Sequence, residues 1–278
     1  MNKILFVCTG NTCRSPMAEA IYGNFGGGAE VKSVGLFADG SEYCPHSVEA
    51  LKEIGIDISG GCSKMIDLYD LSADRIFCMS DSHRAMLLAL GADDRKITVL
   101  GVADPFGGTL EDYRRCRDEI KEKLEPFRIV FRSFEEKDAP AVAEIEKSCF
   151  STPWSEQALL DSFRANTVFF VAESCGRVVG YAGLSHAADE GYVTNIAVLP
   201  EYRRLGVGSV LTEMLIDFAR ENDLAFVSLE VRESNQSAIR VYSALGFERA
   251  GLRKNFYDAP REDAVIMTKV IKSENSGD

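Results

Sequence analysis

Three features are scarce or missing in this 278-residue chain, and each excludes a class of protein. No apolar run approaches the ~20 residues of a membrane-spanning helix, and the N-terminal apolar run is too short for a signal peptide. Basic residues are outnumbered in both halves of the chain, with 14 basic and 20 acidic residues up to Glu125, 17 and 23 after it, and a net charge of −12. We therefore expect neither a membrane nor a nucleic acid as a direct partner.

Paired metal-ligand motifs are also missing. The chain has only three histidines, and none of its eight cysteines forms a C-x-x-C pair. This pattern predicts neither a zinc site nor a disulfide framework, so we expect no metal site. Unpaired cysteines favour a reducing compartment, and we expect the cytoplasm. The histidines are far apart, and we interpret them as structural or surface residues: His46, His83 and His186.

The length favours two domains, and the apolar content of 46% suffices for two cores. Residues 1–126 alternate predicted strands with predicted helices, which is typical of an α/β domain with a doubly wound, four-stranded parallel sheet. Pro126 ends the last of these helices, and an alternating pattern begins there. Residues 127–272 contain more predicted strands than helices, several of them joined as hairpins, which predicts a mixed sheet. A polar tail over 273–278 is predicted to be disordered.

A strand, a short loop and a helix near the N-terminus carry the first chemical signal. Cys8 follows a buried strand, and Arg14 lies just before a predicted helix with Pro16 at its first position. Backbone N–H groups and the positive end of the helix dipole converge in such a loop and form an anion site, which also stabilises a thiolate. A thiolate there is a nucleophile directed at phosphorus, and a guanidinium binds two phosphate oxygens. The remaining loop positions are expected to bind phosphate: Thr9, Gly10, Asn11, Thr12, Cys13 and Ser15.

Residues 1–126 resemble the low-molecular-weight protein tyrosine phosphatases in this loop and in a downstream Asp-Pro pair that begins at Asp104. The resemblance implies that Cys8 forms a phosphocysteine intermediate while Arg14 binds the phosphate. It also implies that Asp104 protonates the leaving group and then activates water for the second step. No cofactor is implied for this domain, and its expected partners are phosphorylated proteins.

Thr12 bears on the substrate. Relatives that act on phosphotyrosine usually carry a larger aliphatic residue at this position, whereas threonine resembles the protein arginine phosphatase branch. A small polar wall beside the nucleophile leaves room for a planar guanidinium. Gly107 replaces a second aromatic residue that often walls phosphotyrosine pockets. We therefore expect phosphoarginine as the substrate, with phosphotyrosine as the alternative.

Two further possibilities concern the cysteines of this domain. Arsenate reduction uses the same loop, but it needs a downstream pair of resolving cysteines, and Cys78 has no partner nearby in sequence. Cys13 either forms a protective disulfide with Cys8 on oxidation or is an inert buried thiol.

The segment Arg203–Gly208 predicts a second phosphate-binding turn. Its two glycines allow the backbone to approach a pyrophosphate, and the helix that follows supplies N–H donors. The turn is a weak motif by itself. Its neighbours in the chain follow the order of the Gcn5-related N-acetyltransferases (GNAT), which residues 128–272 resemble: Asn195–Val198, Glu230–Asn235 and Tyr242–Phe247.

This resemblance implies an acyl-CoA N-acyltransferase fold and acetyl-CoA as cosubstrate. Within the family the chain most resembles the ribosomal-protein-alanine N-acetyltransferases, so the expected acceptor is the N-terminus of a ribosomal protein. Glu230 is expected to deprotonate the amine and Tyr242 to protonate the CoA thiolate, although each alone also fits a structural role. The alternatives are a lysine or small-amine acetyltransferase and a non-catalytic acyl-CoA-binding module. The expected cofactor-binding residues are Ile196, Val198, Arg203, Arg204, Gly206, Gly208 and Asn235.

Overall fold

A computed structural model describes residues 3–26 and 29–272 of the chain. The chain divides into two compact units, of which one ends at Arg128 and the other begins at Ile129. The tail 273–278, which the sequence predicts to be disordered, lies outside the described residues. Within the described ranges, no helix combines the length and the apolar character that a membrane crossing requires.

The first unit contains the expected four-stranded parallel sheet, with the strand order β2-β1-β3-β4. Strand β1 lies in the interior of this sheet and is covered on both faces, which accounts for its continuous apolar run. The strand order reverses between β1 and β3, and in open α/β sheets ligands bind at the carboxyl ends of the strands at such a point. The strands are β1 (Lys3–Cys8), β2 (Glu30–Gly35), β3 (Arg75–Cys78) and β4 (Ile97–Val99). The helices are α1 (Arg14–Gly23), α2 (Pro45–Lys52), α3 (Asp81–Ala89) and α4 (Leu110–Leu124).

Helix α1 begins two residues earlier than the sequence predicts. Its first residue is Arg14, so Pro16 is the third helical residue and not the first. A proline is tolerated throughout the first turn because N–H groups there have no partner within the helix. The earlier start places Arg14 and Ser15 in the rigid first turn, where both are buried.

The second unit is built on a seven-stranded mixed sheet with the order β10-β11-β9-β8-β7-β6-β5. All neighbouring strands are antiparallel except β8 and β9, which run parallel. The strands are β5 (Val130–Ser133), β6 (Thr167–Ser174), β7 (Arg177–Ala187), β8 (Glu190–Val198), β9 (Phe226–Arg232), β10 (Glu248–Asp258) and β11 (Arg261–Val270). The helices are α5 (Ala139–Cys149), α6 (Glu156–Ala165), α7 (Val207–Glu221) and α8 (Gln236–Ala244).

Strands β8 and β9 separate part of the way along their length. They pair only where Glu190–Tyr192 lies beside Phe226–Ser228, and beyond that point each continues without pairing to the other. Thr194 is an extra residue in β8 that interrupts its register with β7. The result is a wedge that opens in the middle of the sheet towards the carboxyl ends of both strands.

Candidate active sites

The Cys8 sulfur lies at the end of β1, where the predicted loop begins. The Asn11 backbone N–H donates a hydrogen bond to the Cys8 sulfur at 3.2 Å, and the Ser15 hydroxyl lies 3.0 Å from it. Both groups belong to the loop and the first turn of α1, which hold them beside the sulfur. These contacts hold the Cys8 sulfur at the point where the loop N–H groups converge, as a nucleophile directed at a bound phosphoryl group requires.

Asn11 fixes the shape of the loop. Its backbone is left-handed, with a φ of 54°, and its side chain is fully buried. The amide nitrogen donates to the hydroxyls of Ser15 (2.9 Å) and Ser33 (2.8 Å), and the amide oxygen accepts from the backbone of Lys64 (2.8 Å). A side chain with every polar atom paired pins the loop in one conformation, because each contact comes from a different part of the unit.

Arg14 and Asp104 face each other across the cleft. The guanidinium is buried and donates to the backbone carbonyl of Val102 at 3.2 Å and to the Asp104 carboxylate. The Asp104 side chain is 46% exposed, and its second oxygen accepts from the backbone of Phe106 at 3.2 Å. Asp104 is thus oriented at the surface of the cleft, where its carboxyl group can exchange protons with a leaving group.

His83 belongs to this site, although the sequence pattern gave it only a structural or surface role. Its Nε2 lies 2.9 Å from the Thr9 hydroxyl and its Nδ1 lies 2.7 Å from the Ser80 hydroxyl. Burial lowers the pKa of His83 below its ordinary value, Arg14 lowers it further, and Asp104 opposes both effects. A positional signal exists in the sequence, because Ser80 caps α3 directly after β3 and so places the first turn of α3 beside the loop.

Gly35 is a second residue that motif reasoning missed. A Cβ atom at this position would lie 2.8 Å from the backbone of Thr9, Gly10 and Asn11. The loop can therefore pack against the end of β2 only because residue 35 has no side chain. The backbone contacts that follow, from Leu36 to Cys8 (3.0 Å) and from Phe37 to Thr9 (2.8 Å), fasten the loop to that strand end.

The cleft over this loop has a volume of about 260 Å³. Its size suits a phosphoryl group and the first atoms of the side chain that carries it. Phe106 stands at its edge with 78% of its surface exposed. Among residues 3–26 and 29–272, no cluster of side chains suits a metal ion. The cleft is lined by Cys8, Thr9, Gly10, Thr12, Cys13, Arg14, Asp104 and Phe106.

The predicted glycine turn of the second unit leads from the end of β8 into α7. Gly206 is the N-terminal cap of α7 with a φ of 89°, a conformation that favours glycine. Gly208 has an ordinary φ, and a Cβ atom there would meet nothing within 4 Å. No packing within the unit explains why residue 208 lacks a side chain, so the open space suits a ligand that approaches the backbone closely. Together with the wedge, this turn fits the pyrophosphate and pantetheine of acetyl-CoA.

The other predicted cofactor residues lie around the same opening. Ile196 and Val198 are half-buried in the part of β8 that has no pairing to β9. Arg203 does not extend freely from the turn, because its guanidinium donates to the Val198 carbonyl at 2.9 Å and to the Cys149 sulfur at 3.6 Å. Arg204 is exposed, with a φ of 66°. Asn235 caps α8, its side-chain oxygen accepting from the Ala238 backbone at 3.2 Å.

Tyr257 lies close to both the predicted base and the predicted acid. Its hydroxyl donates to the backbone carbonyl of Glu230 at 3.3 Å, and the Glu230 carboxylate lies 3.2 Å from the Arg253 guanidinium. Burial raises the pKa of Tyr242 to about 12, and Tyr257 nearby contributes to the rise. The Tyr242 phenol therefore keeps its proton at neutral pH, as a general acid must.

Glu146 is a fully buried carboxylate that no motif indicated. It accepts hydrogen bonds from the Tyr181 hydroxyl, from the Asn195 side chain at 2.7 Å and from the Trp154 backbone at 2.7 Å. Asn195 follows the Thr194 bulge in β8, so these contacts tie the bulged strand to α5. Three donors compensate much of the cost of burying the carboxylate.

Comparison with known families assigns the two halves separately. The family described as low molecular weight phosphotyrosine protein phosphatase matches residues 3–138, and the acetyltransferase (GNAT) family matches residues 139–247.

Two relatives and one solved structure illustrate the match. A protein-arginine-phosphatase of Geobacillus stearothermophilus is 41% identical over 131 residues, which are 43% of this chain and 88% of that protein. The ribosomal protein bS18-alanine N-acetyltransferase of Escherichia coli K12 is 39% identical over 141 residues, which are 50% of this chain and 95% of that protein. A crystal structure of the ribosomal-protein-S18-alanine N-acetyltransferase from Escherichia coli superimposes with a TM-score of 0.50 at 36% identity, and the match covers 54% of this chain and 99% of that one.

Proposed function

Because the chain belongs to the low molecular weight phosphotyrosine protein phosphatases in its first half and to the GNAT acetyltransferases in its second, we propose that it has two activities. Its hydrolase part dephosphorylates phosphoarginine in proteins. Its transferase part acetylates the N-terminal alanine of a ribosomal protein. The convergence of the Asn11 N–H and the Ser15 hydroxyl on the Cys8 sulfur carries the phosphatase proposal. A nucleophile that must remain reduced favours the cytoplasm as the place of action.

The phosphatase reaction proceeds in two steps. The Cys8 thiolate attacks phosphorus, and Arg14 together with the loop N–H groups stabilises the charge on the phosphoryl oxygens. Asp104 gives its proton to the departing nitrogen or oxygen. The same carboxylate then takes a proton from water, which hydrolyses the phosphocysteine.

Thr12 and Gly107 support phosphoarginine over phosphotyrosine. Thr12 gives the cleft a small polar wall, and Gly107 stands where phosphotyrosine pockets often carry a second aromatic residue. A planar, charged guanidinium fits such an opening better than it fits an aromatic slot. The relative from Geobacillus stearothermophilus is named a protein-arginine-phosphatase, which agrees with this choice.

The substrate test compares hydrolysis of a phosphoarginine peptide and a phosphotyrosine peptide of the same sequence by the wild type and by Thr12→Ile. The wild type is expected to prefer the phosphoarginine peptide, and Thr12→Ile to shift the preference towards phosphotyrosine. A wild type without preference, or a variant with an unchanged ratio, would make phosphotyrosine the better assignment.

Arsenate reduction has less support as a function of this site. It requires a downstream resolving thiol near the cleft, and Cys78 is buried in the sheet and does not line the cleft. Burial raises the pKa of Cys78 to about 11, and its sulfur donates to the Ser80 carbonyl. Cys78 therefore stabilises the unit and does not serve as the downstream thiol.

For the acetyltransferase, Glu230 removes a proton from the amine, directly or through water, and Tyr242 protonates the departing CoA thiolate. The turn at Gly206 and Gly208 holds the pyrophosphate, while Ile196 and Val198 hold the pantetheine through their backbones. Acetyl-CoA supplies the activated acetyl group.

The acceptor is tested with a peptide that begins with alanine, the same peptide blocked at its N-terminus, and a blocked peptide with an internal lysine. Acetylation of the first peptide alone is expected. Acetylation of the lysine peptide would favour a lysine acetyltransferase, and binding of acetyl-CoA without transfer would favour a non-catalytic module.

A further inference from the structure

Two thiols share one hydroxyl group behind the phosphate cleft. The Tyr113 hydroxyl oxygen lies 3.4 Å from the Cys13 sulfur and 3.2 Å from the Cys44 sulfur. Cys13 ends the phosphate loop before α1, and Cys44 is the residue before α2. Neither thiol takes part in the reaction described above, and Cys44 belongs to none of the sequence motifs.

The backbones that carry these thiols are in direct contact. The Cys44 N–H donates to the carbonyl of Thr12, the residue before Cys13, at 2.9 Å. A disulfide needs a Cα separation of about 4.4–6.8 Å, and this hydrogen bond holds the two segments next to each other. Both sulfurs contact the same hydroxyl oxygen, so each must leave Tyr113 before the two can bond to each other.

Cys13 also lines the cleft that contains Cys8. The Cys8 sulfur accepts a backbone N–H from the phosphate loop and lines the cleft, so Cys8 is the nucleophile that a small oxidant entering the cleft meets. Burial raises the pKa of Cys13, which keeps its sulfur protonated and slow towards the oxidant itself. Cys13 thus lines the cleft with Cys8 and shares the Tyr113 hydroxyl with the half-buried Cys44.

We propose that Cys44 is a resolving thiol, which takes a disulfide bond over from Cys8 and Cys13 and so returns Cys8 to its reduced form. This inference rests on the proposed phosphatase function, because it needs Cys8 to be the reactive thiolate of the cleft. The oxidant is hydrogen peroxide, which is small enough to enter a cleft of about 260 Å³.

The reaction has three steps. The Cys8 thiolate attacks a peroxide oxygen, the O–O bond breaks, and hydroxide leaves a sulfenic acid on Cys8. The Cys13 thiol attacks that sulfur, the S–O bond breaks, and water leaves a Cys8–Cys13 disulfide. Cys44 gives its proton to the hydroxide and attacks the Cys13 sulfur, and Cys8 departs as a thiolate. Two thiols become one disulfide, one peroxide becomes two waters, and Cys8 is unchanged.

The experiment uses the reduced full-length chain, and phosphatase activity is measured before oxidation. One equivalent of hydrogen peroxide is added, free thiols are alkylated, and the peptides are mapped by mass spectrometry without reduction. The wild type is expected to give a Cys13–Cys44 peptide with Cys8 alkylated, and to keep more than half of its activity. Cys44→Ser and Cys44→Ala are expected to give a Cys8–Cys13 peptide and to lose activity at least tenfold until dithiothreitol is added.

Cys62→Ser is the matched control, because Cys62 is an exposed thiol of the same unit, and it should behave as the wild type. A wild type that accumulates Cys8–Cys13 or links Cys13 to Cys116 would overturn the proposal, as would Cys44 variants that resist peroxide. A reduced chain without phosphatase activity would instead count against the proposed function, since the linked peptides report the thiol exchange independently of activity.

Discussion

The Ser15 hydroxyl lies 3.0 Å from the Cys8 sulfur and accepts a hydrogen bond from the Asn11 amide at 2.9 Å. Because Asn11 supplies that proton, the serine's own proton is left to donate, either to the Cys8 sulfur or to the Val34 carbonyl at 3.3 Å, and Cys8 is the nearer acceptor. A hydrogen bond to a charged group contributes roughly 1.5–3 kcal/mol. We predict that Ser15→Ala lowers the phosphatase kcat roughly 10- to 100-fold. Ser59→Ala, an exposed serine of the same unit, is the control, and an unchanged kcat in Ser15→Ala would remove Ser15 from the mechanism.

Asp104 should matter most when the leaving group is poor. Asp104→Asn keeps the size of the side chain but has no proton to give, so kcat on phosphoarginine peptides should fall by about 10²–10⁴. A nitrophenyl phosphate, whose leaving group departs without protonation, should be affected much less. Rates on both substrates check this, with Glu111→Gln, an exposed carboxylate of α4, as control. Equal losses on both substrates would contradict general-acid catalysis.

The lowered pKa of His83 predicts how the stability of the phosphatase unit responds to acid. Burial and Arg14 lower its folded-state pKa below the ordinary value of about 6.5, so the unfolded chain takes up the proton first as pH falls. The contribution of His83 is therefore fully present above pH ~6.5 and is lost as pH falls below it. Denaturant unfolding at pH 8 and pH 5.5 should show a smaller drop for His83→Asn than for the wild type. His186→Asn, in the other unit, controls for the substitution, and an identical drop in His83→Asn would contradict the prediction.

Substitutions at Gly206 and Gly208 should have different effects, one on stability and the other on cosubstrate binding. Gly206→Ala places a side chain at a φ of 89°, which costs roughly 1–2 kcal/mol, so it should lower the thermal stability of its unit. Gly208→Val adds a side chain to open space and should leave the melting temperature unchanged while raising the KM for acetyl-CoA at least tenfold. Calorimetry and acetyl-transfer kinetics separate the two effects. A normal KM in Gly208→Val would place the pyrophosphate elsewhere.

Tyr242 gives the acetyltransferase a defined pH dependence. Because its pKa is raised to about 12, it should remain protonated and active up to at least pH 10. Tyr242→Phe should lower kcat by about 10²-fold or more with little change in the KM for acetyl-CoA. The kcat profile from pH 6 to 10 checks both statements. The contradicting result is a wild-type kcat that falls with an ionisation near pH 9, while the residual kcat of Tyr242→Phe shows no such fall. The pKa of the Tyr242 phenol would then lie far below the expected value of about 12.

The phosphatase loop could be predicted from sequence because its chemistry is local. Strand β1, the loop and α1 occupy one continuous stretch, so the order of residues alone brings Cys8, Arg14 and Ser15 together. His83 could not be placed in the same way. Its contact with Thr9 joins residues 74 positions apart and depends on β3 lying next to β1 in the sheet.

The acetyltransferase site was harder to predict from its sequence motifs. They predicted the glycine turn, but the wedge between β8 and β9 is a property of strand pairing that no single segment reveals. The buried Glu146 draws its donors from three separate parts of the unit, so its surroundings appear only once the sheet has formed. For Arg203 the motif predicts a contact with a ligand, whereas in the structure its guanidinium donates to the Val198 carbonyl.

The most direct measurement is a pair of assays on the whole chain, in which each site is disabled in turn. Cys8→Ser should abolish phosphoarginine hydrolysis and leave acetyl transfer to an alanine N-terminus intact, and Glu230→Gln should do the reverse. An activity that survives the substitution meant to abolish it would contradict the assignment of two enzymes to one chain. The absence of either activity from the wild type would contradict it as well.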